Sequence, residues 1–304
     1  MSSGRPLLIV VTGPTGSGKT DLAIDLARHF GTEIISADSR QVFRHIPIGT
    51  AAPTAAQLAA VPHHLVGFLE LDQYYSAARF AEDAERILSN LWQRTDKAIV
   101  CGGSMLYIDA LTKGLDELPT VSDAVRSRVL ALYAEGGAEA VSALLAELDP
   151  LYLERADPAN HKRLIHAAEV SIEAGVPYSS LLGRARSSRP FDVVTLMIDR
   201  PRQELFSRIN ARVDAMMAAG WEEEARRVYP LRHLNSLNTV GYKELFAMFD
   251  GSMPRHIAIP RIAKNTRVYA KKQLTWLKRD PEVIRLDPAD GCLLDRAVKI
   301  IEHR

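Results

Sequence analysis

The chain has 304 residues, 47% hydrophobic and 25% charged, and its 38 Lys and Arg against 37 Asp and Glu leave a net charge of +1. That balance excludes a disordered chain and gives no global pull toward a polyanion, while the length suits one large domain with a smaller one. No apolar run approaches the ~20 residues that cross a bilayer, and the N-terminus lacks the layout of a signal peptide, so the expectation is a cytoplasmic chain with no membrane partner. Cys101 and Cys292 lack CxxC spacing, which indicates neither a zinc site nor a disulfide framework.

The first element is a buried strand, Leu7-Leu8-Ile9-Val10-Val11, followed by Gly13-Pro14-Thr15-Gly16-Ser17-Gly18-Lys19-Thr20 and then a run with helical spacing from Asp21. Glycines bracketing four residues before Lys-Thr form the phosphate-loop pattern. The glycines let several N–H groups converge on one anion, and the next helix adds its positive end. Lys19 then contacts phosphate oxygens and the Thr20 hydroxyl a Mg²⁺. The loop alone makes ATP and nucleotide binding the default but does not say which phosphate it holds.

Glu33 to Ala37 reads as a second strand running into Asp38-Ser39-Arg40-Gln41. Asp38 therefore stands at the strand edge that carries the phosphate loop, where ligands bind in parallel sheets; taken in isolation it would read as a local cap. Ile48 to Thr54 is turn-rich, and Val66 to Leu69 reads as a strand. His63-His64 lack further ligands at metal-site spacing. A helix runs from Tyr75-Ser76 to about Leu91, and Ala98 to Cys101 is a buried strand ending in Gly102-Gly103-Ser104-Met105-Leu106-Tyr107. The paired glycines suit both a tight turn and a close approach.

From about Leu115 to Arg189 β-branched runs vanish, which reads as an inserted all-helical subdomain, residues 115–189, between the two halves of the core, 1–114 and 190–304. Ser122 caps a helix that stops at Gly136-Gly137, Ala138 to Leu148 forms a second, and Asp157-Pro158 begins a third that Gly175 closes. On that third helix His161, Lys162, Arg163 and His166 make a polar patch, which reads equally as a solvated face. Ser187 to Pro190 is a linker, the sheet resumes at Phe191 to Ile198, and Pro201 starts a helix to about Ala219. After the polar loop Ser236 to Lys243 and a helix Glu244 to Phe249, Met253 to Arg279 holds eight Lys or Arg and no acid. Its helical order places Lys264, Arg267, Lys271 and Lys278 on one face, which suits a phosphate backbone, with Tyr269 and Trp276 nearby.

The ordered set of motifs resembles the tRNA dimethylallyltransferase (isopentenylpyrophosphate transferase) family over almost the whole chain. It comprises the phosphate loop, Asp38-Ser-Arg-Gln, Gly49-Thr50 with Pro53-Thr54, Pro62-His-His-Leu, Tyr75-Ser-Ala-Ala, Gly102-Gly-Ser-Met-Leu-Tyr, Val240-Gly-Tyr-Lys and Tyr269-Ala-Lys-Lys-Gln-Leu-Thr-Trp. The lack of a zinc-finger extension is similar to bacterial members. The resemblance implies an α/β P-loop NTPase-like parallel sheet flanked by helices, with the helical insertion contacting tRNA. The implied reaction transfers a dimethylallyl group from its diphosphate to the exocyclic amine of the adenosine 3′-adjacent to the anticodon, with Mg²⁺ on Thr20.

By the same resemblance Asp38, Lys19 and Thr20 are catalytic, and Gly13 to Thr20 with Arg267 bind diphosphate. Asp38, Ser39, Arg40, Gln41, Ser104, Arg126, Lys162, Arg163, Leu164, Ile165, His166, Asn238, Thr239, Val240, Gly241, Tyr242 and Lys243 contact tRNA. The implied partners are the tRNA anticodon stem-loop and dimethylallyl diphosphate, bound by a monomer. Ala52, Phe43, Arg79, His166 and Asn238 depart from the family pattern. An adenylate prenyltransferase acting on free AMP, a small-molecule kinase and a nucleotide-switched RNA-binding protein are the other readings. The insertion and the basic stripe count against the first, since a free nucleotide requires neither.

Overall fold

The structure, a computed structural model, describes residues 4–116, 118–183 and 189–304. The chain divides into two compact units, residues 1–112 with 189–304, and residues 113–188. The sequence puts the expected transitions at 114/115 and 189/190; part of the expected linker, Ser187 and Ser188, lies outside the described residues.

In the larger unit six parallel strands stand in the order β3-β2-β4-β1-β5-β6. They are β1 (Leu7–Thr12), β2 (Ile34–Ser36), β3 (His63–His64), β4 (Lys97–Cys101), β5 (Asp192–Ile198) and β6 (Ile284–Leu286). β1 is central and covered on both faces, so Leu8, Ile9, Val10 and Val11 are fully buried, each such side chain contributing ~1.5–3 kcal/mol. Around the sheet lie α1 (Lys19–Phe30), α2 (Ala55–Ala60), α3 (Ala77–Leu91), α4 (Met105–Thr112), and later α9 (Arg202–Ala218), α10 (Trp221–Val228), α11 (Tyr242–Phe249), α12 (Arg255–Leu277) and α13 (Leu293–Glu302). The register pairs Val11 and Ser36 each with Cys101. The carboxyl ends of β1, β4 and β2 are therefore level, and Gly13, Gly102 and Asp38 leave the sheet along one edge.

Two expectations are corrected. Val66 to Leu69 forms no strand; only Leu69 makes an isolated bridge, to Phe43, because Leu65 at φ 61 turns the chain out of extended geometry. The adjoining His63-His64 takes the edge position beside β2 instead. Asp157 does not cap the third helix of the insertion: Asn160 does, while Asp157 caps a turn through the Ala159 N–H.

The smaller unit contains α5 (Asp123–Leu148), α6 (Pro150–Leu153), α7 (His161–Ala174) and α8 (Tyr178–Leu181). The two helices expected on either side of Gly136-Gly137 run as one element broken at Gly137, whose φ of 63 is left-handed. By length and composition alone α5 could cross a membrane, but Gly137 breaks it, and its Val129, Val141 and Leu145 form a core with Leu164, Ala167 and Ala168 of α7. Asp149, buried where α5 meets α6, accepts hydrogen bonds from the Tyr152 and Ser179 N–H groups and the Ser179 hydroxyl, so its charge is satisfied.

Candidate active site

The phosphate loop closes tightly because three of its residues adopt backbone angles that only glycine reaches without strain. Gly13, Gly16 and Gly18 have φ of 146, 83 and 97. A Cβ at Gly13 would lie 2.8 Å from Ser17 Oγ, and one at Gly16 3.2 Å from Ile209 Cγ1 of α9, so the loop is packed from within and behind. Gly18 caps α1 and leaves its first N–H groups free. Ser17 Oγ is buried and has no hydrogen-bond partner among the described residues.

Lys19 and Thr20 open onto two adjoining spaces. One is a cleft of about 500 Å³ walled by Gly16, Gly18, Ala51, Ala52, Thr54, Gln57, Arg208 and Arg212. The other is a narrow pocket lined by Ser36, Asp38, Gln41, His63, Cys101 and Gly102. Burial lowers the pKa of Lys19; Cys101 and Asp38 act against that and Arg212 adds to it. Arg212 is lowered too, by burial, with Asp38 opposing. Neither cation has an ion-pair partner among the described residues. Two desolvated cations beside convergent loop amides make a strong anion site. Cys101 is pushed up to about 11 by burial, so its thiol stays protonated.

Asp38 caps its own turn and also lines a pocket. Its Oδ1 accepts from the Arg40 N–H at 2.9 Å and the Gln41 N–H at 3.3 Å, a local cap, while the carboxylate also lines the pocket it shares with Lys19. Ser104 Oγ accepts from the Ser39 N–H at 2.8 Å, and the Ser104 N–H donates to the Ala37 carbonyl at 3.1 Å, which ties β4's end to the turn that carries Asp38. Gly102 is required there, since a Cβ would fall 2.0 Å from that carbonyl oxygen. Tyr107 and Tyr269, each raised to about 12 by burial first, both feel the charges of Asp38 and Arg40 and so place aromatic rings near them.

Several expected RNA contacts are instead structural. Tyr242 is fully buried, its hydroxyl donating to Glu224 at 2.5 Å, and a Cβ at Gly241 would strike the Trp221 ring at 2.0 Å. Leu164 lies in the core of the smaller unit. None of these three can offer a side chain to an RNA. Arg40 donates to the Asn235 and Ser236 carbonyls, and Gln41 to the Thr50 and Ala51 carbonyls, so both brace the site's walls. Asn238 and Lys243 are exposed, with Thr239 and Val240 partly so, and in the smaller unit Arg126, Lys162, Arg163 and His166 are exposed beside a half-buried Ile165. Arg267 donates to Asn210 and stands 5.8 Å from the Phe206 ring, and it does not line the cleft.

The cleft arginines are Arg208 and Arg212. Arg208 also donates to the Gly16 carbonyl at 2.8 Å, and Arg200 to that of Ser17 at 2.7 Å. Their sequence signal is an i, i+4 arginine pair on one helix face, with Glu204 one turn earlier paired to Arg200. Glu224 and Gln273 carried no such signal. Of the paired histidines, His64 Nε2 pairs with Glu33 at 2.6 Å and His63 Nδ1 donates to the Val61 carbonyl. No group of three or more His, Cys, Asp or Glu among the described residues could hold a metal ion.

Comparison with known proteins gives this site its relatives. The chain is 50% identical over 284 residues to tRNA dimethylallyltransferase 2 of Parabacteroides distasonis, covering 92% of this chain and 94% of that protein. A crystal structure of the full-length tRNA isopentenylpyrophosphate transferase from Bacillus halodurans superimposes with a TM-score of 0.71 at 30% identity, covering 99% of this chain and 95% of that one. A eukaryotic dimethylallyltransferase acting on tRNA shares the fold with a TM-score of 0.85 at 23% identity, over 98% of this chain and 80% of that one. The fold is thus P-loop NTPase-like, and with residues 41–280 matching the IPP transferase model the chain belongs to the IPP transferase family.

Proposed function

We propose that the chain is a tRNA dimethylallyltransferase, moving a dimethylallyl group from dimethylallyl diphosphate to the exocyclic amine of the adenosine 3′-adjacent to the anticodon. The observation that carries this reading is the shared lining of Lys19 and Asp38, an anion cradle and a carboxylate opening on one pocket. The diphosphate lies in the cleft against the loop amides, Lys19, Arg208 and Arg212, which stabilise the charge that builds as the allylic C–O bond breaks. The electron pair of that bond leaves with diphosphate, the amine nitrogen forms the new C–N bond, and its proton passes to Asp38. The Asp38 oxygen left free by the Arg40 and Gln41 amides is the acceptor.

Mg²⁺ fits the site as a substrate-borne ion: Thr20 would offer it a hydroxyl at the cleft and bound diphosphate would supply hard oxygen ligands, since Mg²⁺ commonly keeps waters and phosphates. When bound, it neutralises charge on the leaving group. Exposed Arg126, Lys162, Arg163 and His166 give the RNA a cationic face in the smaller unit, and Lys264 and Lys271 another on α12. A tRNA substrate favours a cytoplasmic site of action.

To test it, the protein is incubated with Mg²⁺, dimethylallyl diphosphate and either unmodified tRNA or AMP, and the nucleosides are analysed by mass. Prenylated adenosine from the tRNA tube alone is the expected result. Prenylated AMP would identify an adenylate prenyltransferase, and a phosphorylated product with ATP a kinase.

A further inference from the structure

Gln273 of α12 belongs to none of the motifs' assigned roles and lines neither space of the site, yet both ends of its carboxamide are committed. Its Oε1 accepts from the Thr15 N–H of the phosphate loop at 2.9 Å, and its Nε2 donates to the Gly103 carbonyl after β4 at 2.9 Å. The residue is 4% exposed. A Cβ at position 103 would lie 2.4 Å from Nε2, so the glycine is what admits the bridge.

Beyond Gly103 the connection continues to Asp38. Ser104 donates to the Ala37 carbonyl and accepts from the Ser39 N–H, the two residues flanking Asp38. Thr15, Gln273, Gly103, Ser104 and the 37–39 turn therefore form a hydrogen-bonded strut from the diphosphate cradle to the carboxylate. The back of the strut is rigid, because Ala270 and Leu274 of α12 pack on Leu205 and Ile209, and Ile209 abuts Gly16.

We propose that Gln273 is a positioning residue that sets the separation between the diphosphate cradle and Asp38. The proposal rests on the prenyl-transfer reading above. In that reaction the leaving oxygen is held by the loop and the attacking nitrogen by Asp38, so their spacing fixes the attack distance. A carboxamide is needed because one acceptor and one donor must be presented side by side. Leucine fills the volume with neither, and a carboxylate supplies the donor only when protonated.

The test compares wild type, Gln273→Leu and Gln273→Glu in single turnovers at saturating tRNA and dimethylallyl diphosphate, with KM for each substrate and hydrogen exchange at Thr15. Gln273→Leu loses about 10²-fold in rate, the scale expected of a ~1 Å misplacement, with both KM values within about threefold. Exchange at Thr15 accelerates while β1 and β4 stay protected. Gln273→Glu recovers relative to wild type as pH falls from about 8 to about 6, and Gln273→Leu does not, since only the former regains a donor. An unchanged rate, a loss confined to KM, or a Glu variant with a flat pH ratio overturns the proposal. If wild type transfers no prenyl group, the activity reading fails by itself, and unaltered Thr15 exchange in Gln273→Leu would separately remove the strut.

Discussion

The phosphate loop and the turn at Ile48 to Ala52 wall the same cleft, but they are held in shape by different means. The loop's curl is set by residues a few positions apart, namely left-handed glycines, the Ser17 N–H on the Pro14 carbonyl and the start of α1, and Arg200, Arg208 and Gln273 brace it from outside. The turn depends on a distant carboxylate. Glu224, 1% exposed, accepts from the Ile48 and Gly49 N–H groups, both at 2.8 Å, and from the Tyr242 hydroxyl, across 175 positions or more to the turn. Gly49 and Gly241 are small because Trp221 and Tyr242 fill the space a Cβ would take. Ala51 ends the turn with φ 47, a strained angle that the Gln41 hydrogen bond to its carbonyl helps to hold. One wall takes its curl locally and is braced from outside; the other is a tertiary knot that gives the cleft its shape.

Substitutions should separate the two. The largest effect is expected where the chemistry sits: Asp38→Asn lowers the transfer rate by about 10²–10⁴ while tRNA affinity stays within a few-fold, measured by single-turnover kinetics and filter binding. Parallel loss of binding and rate would make Asp38 a structural cap alone. Next comes Glu224→Leu, which strands two part-buried N–H groups and a buried hydroxyl and should cost about 3 kcal/mol in urea unfolding, whereas Asp38→Asn leaves the unfolding midpoint within experimental scatter. A stable Glu224→Leu variant would show that the turn holds itself.

A pH series sharpens the comparison at the loop. Lys19 is charged below its lowered pKa and neutral above it, so affinity for inorganic diphosphate should fall on the alkaline side sooner than for an ordinary lysine. Bound diphosphate restores the ammonium, so binding in that range takes up a proton, which calorimetry in buffers of different ionisation enthalpy detects. Binding without proton uptake would mean that Lys19 is already fully charged. The smallest effect belongs to the exposed face of α12: Lys271→Ala should reduce the salt slope of RNA binding by about 1 and leave diphosphate affinity unchanged.

How much was legible follows the same division. The strand, loop and helix from Leu7 to Phe30 could be read because glycine chemistry and hydrophobic periodicity act over short range. Asp38 could be placed because a strand end in a parallel sheet is a ligand edge. Tyr242, Gly241 and Leu164 are buried where the motifs suggest RNA contacts, because a motif records that a residue is needed without recording whether it faces solvent or core. Arg267 stands out in the sequence because its basic stripe is the more visible pattern, whereas the facing of α9 puts Arg208 and Arg212 on the cleft. The β6 strand and α13 have weak sequence signals; β6 has only three residues, and α13 is a short helix packed on α1. Glu224 and Gln273 illustrate the limit most sharply, since a buried polar side chain is defined by partners that only the fold brings near.

The most direct measurement follows both products of one reaction, diphosphate release and prenylated adenosine in tRNA, in the same tube with wild-type protein and Mg²⁺. One diphosphate per prenylated adenosine, with no product when tRNA or the allylic diphosphate is withheld, is the predicted result. Diphosphate released without modified adenosine, or modification that requires ATP, would contradict the assignment of the Gly13 to Thr20 cradle to a leaving diphosphate and of Asp38 to the base.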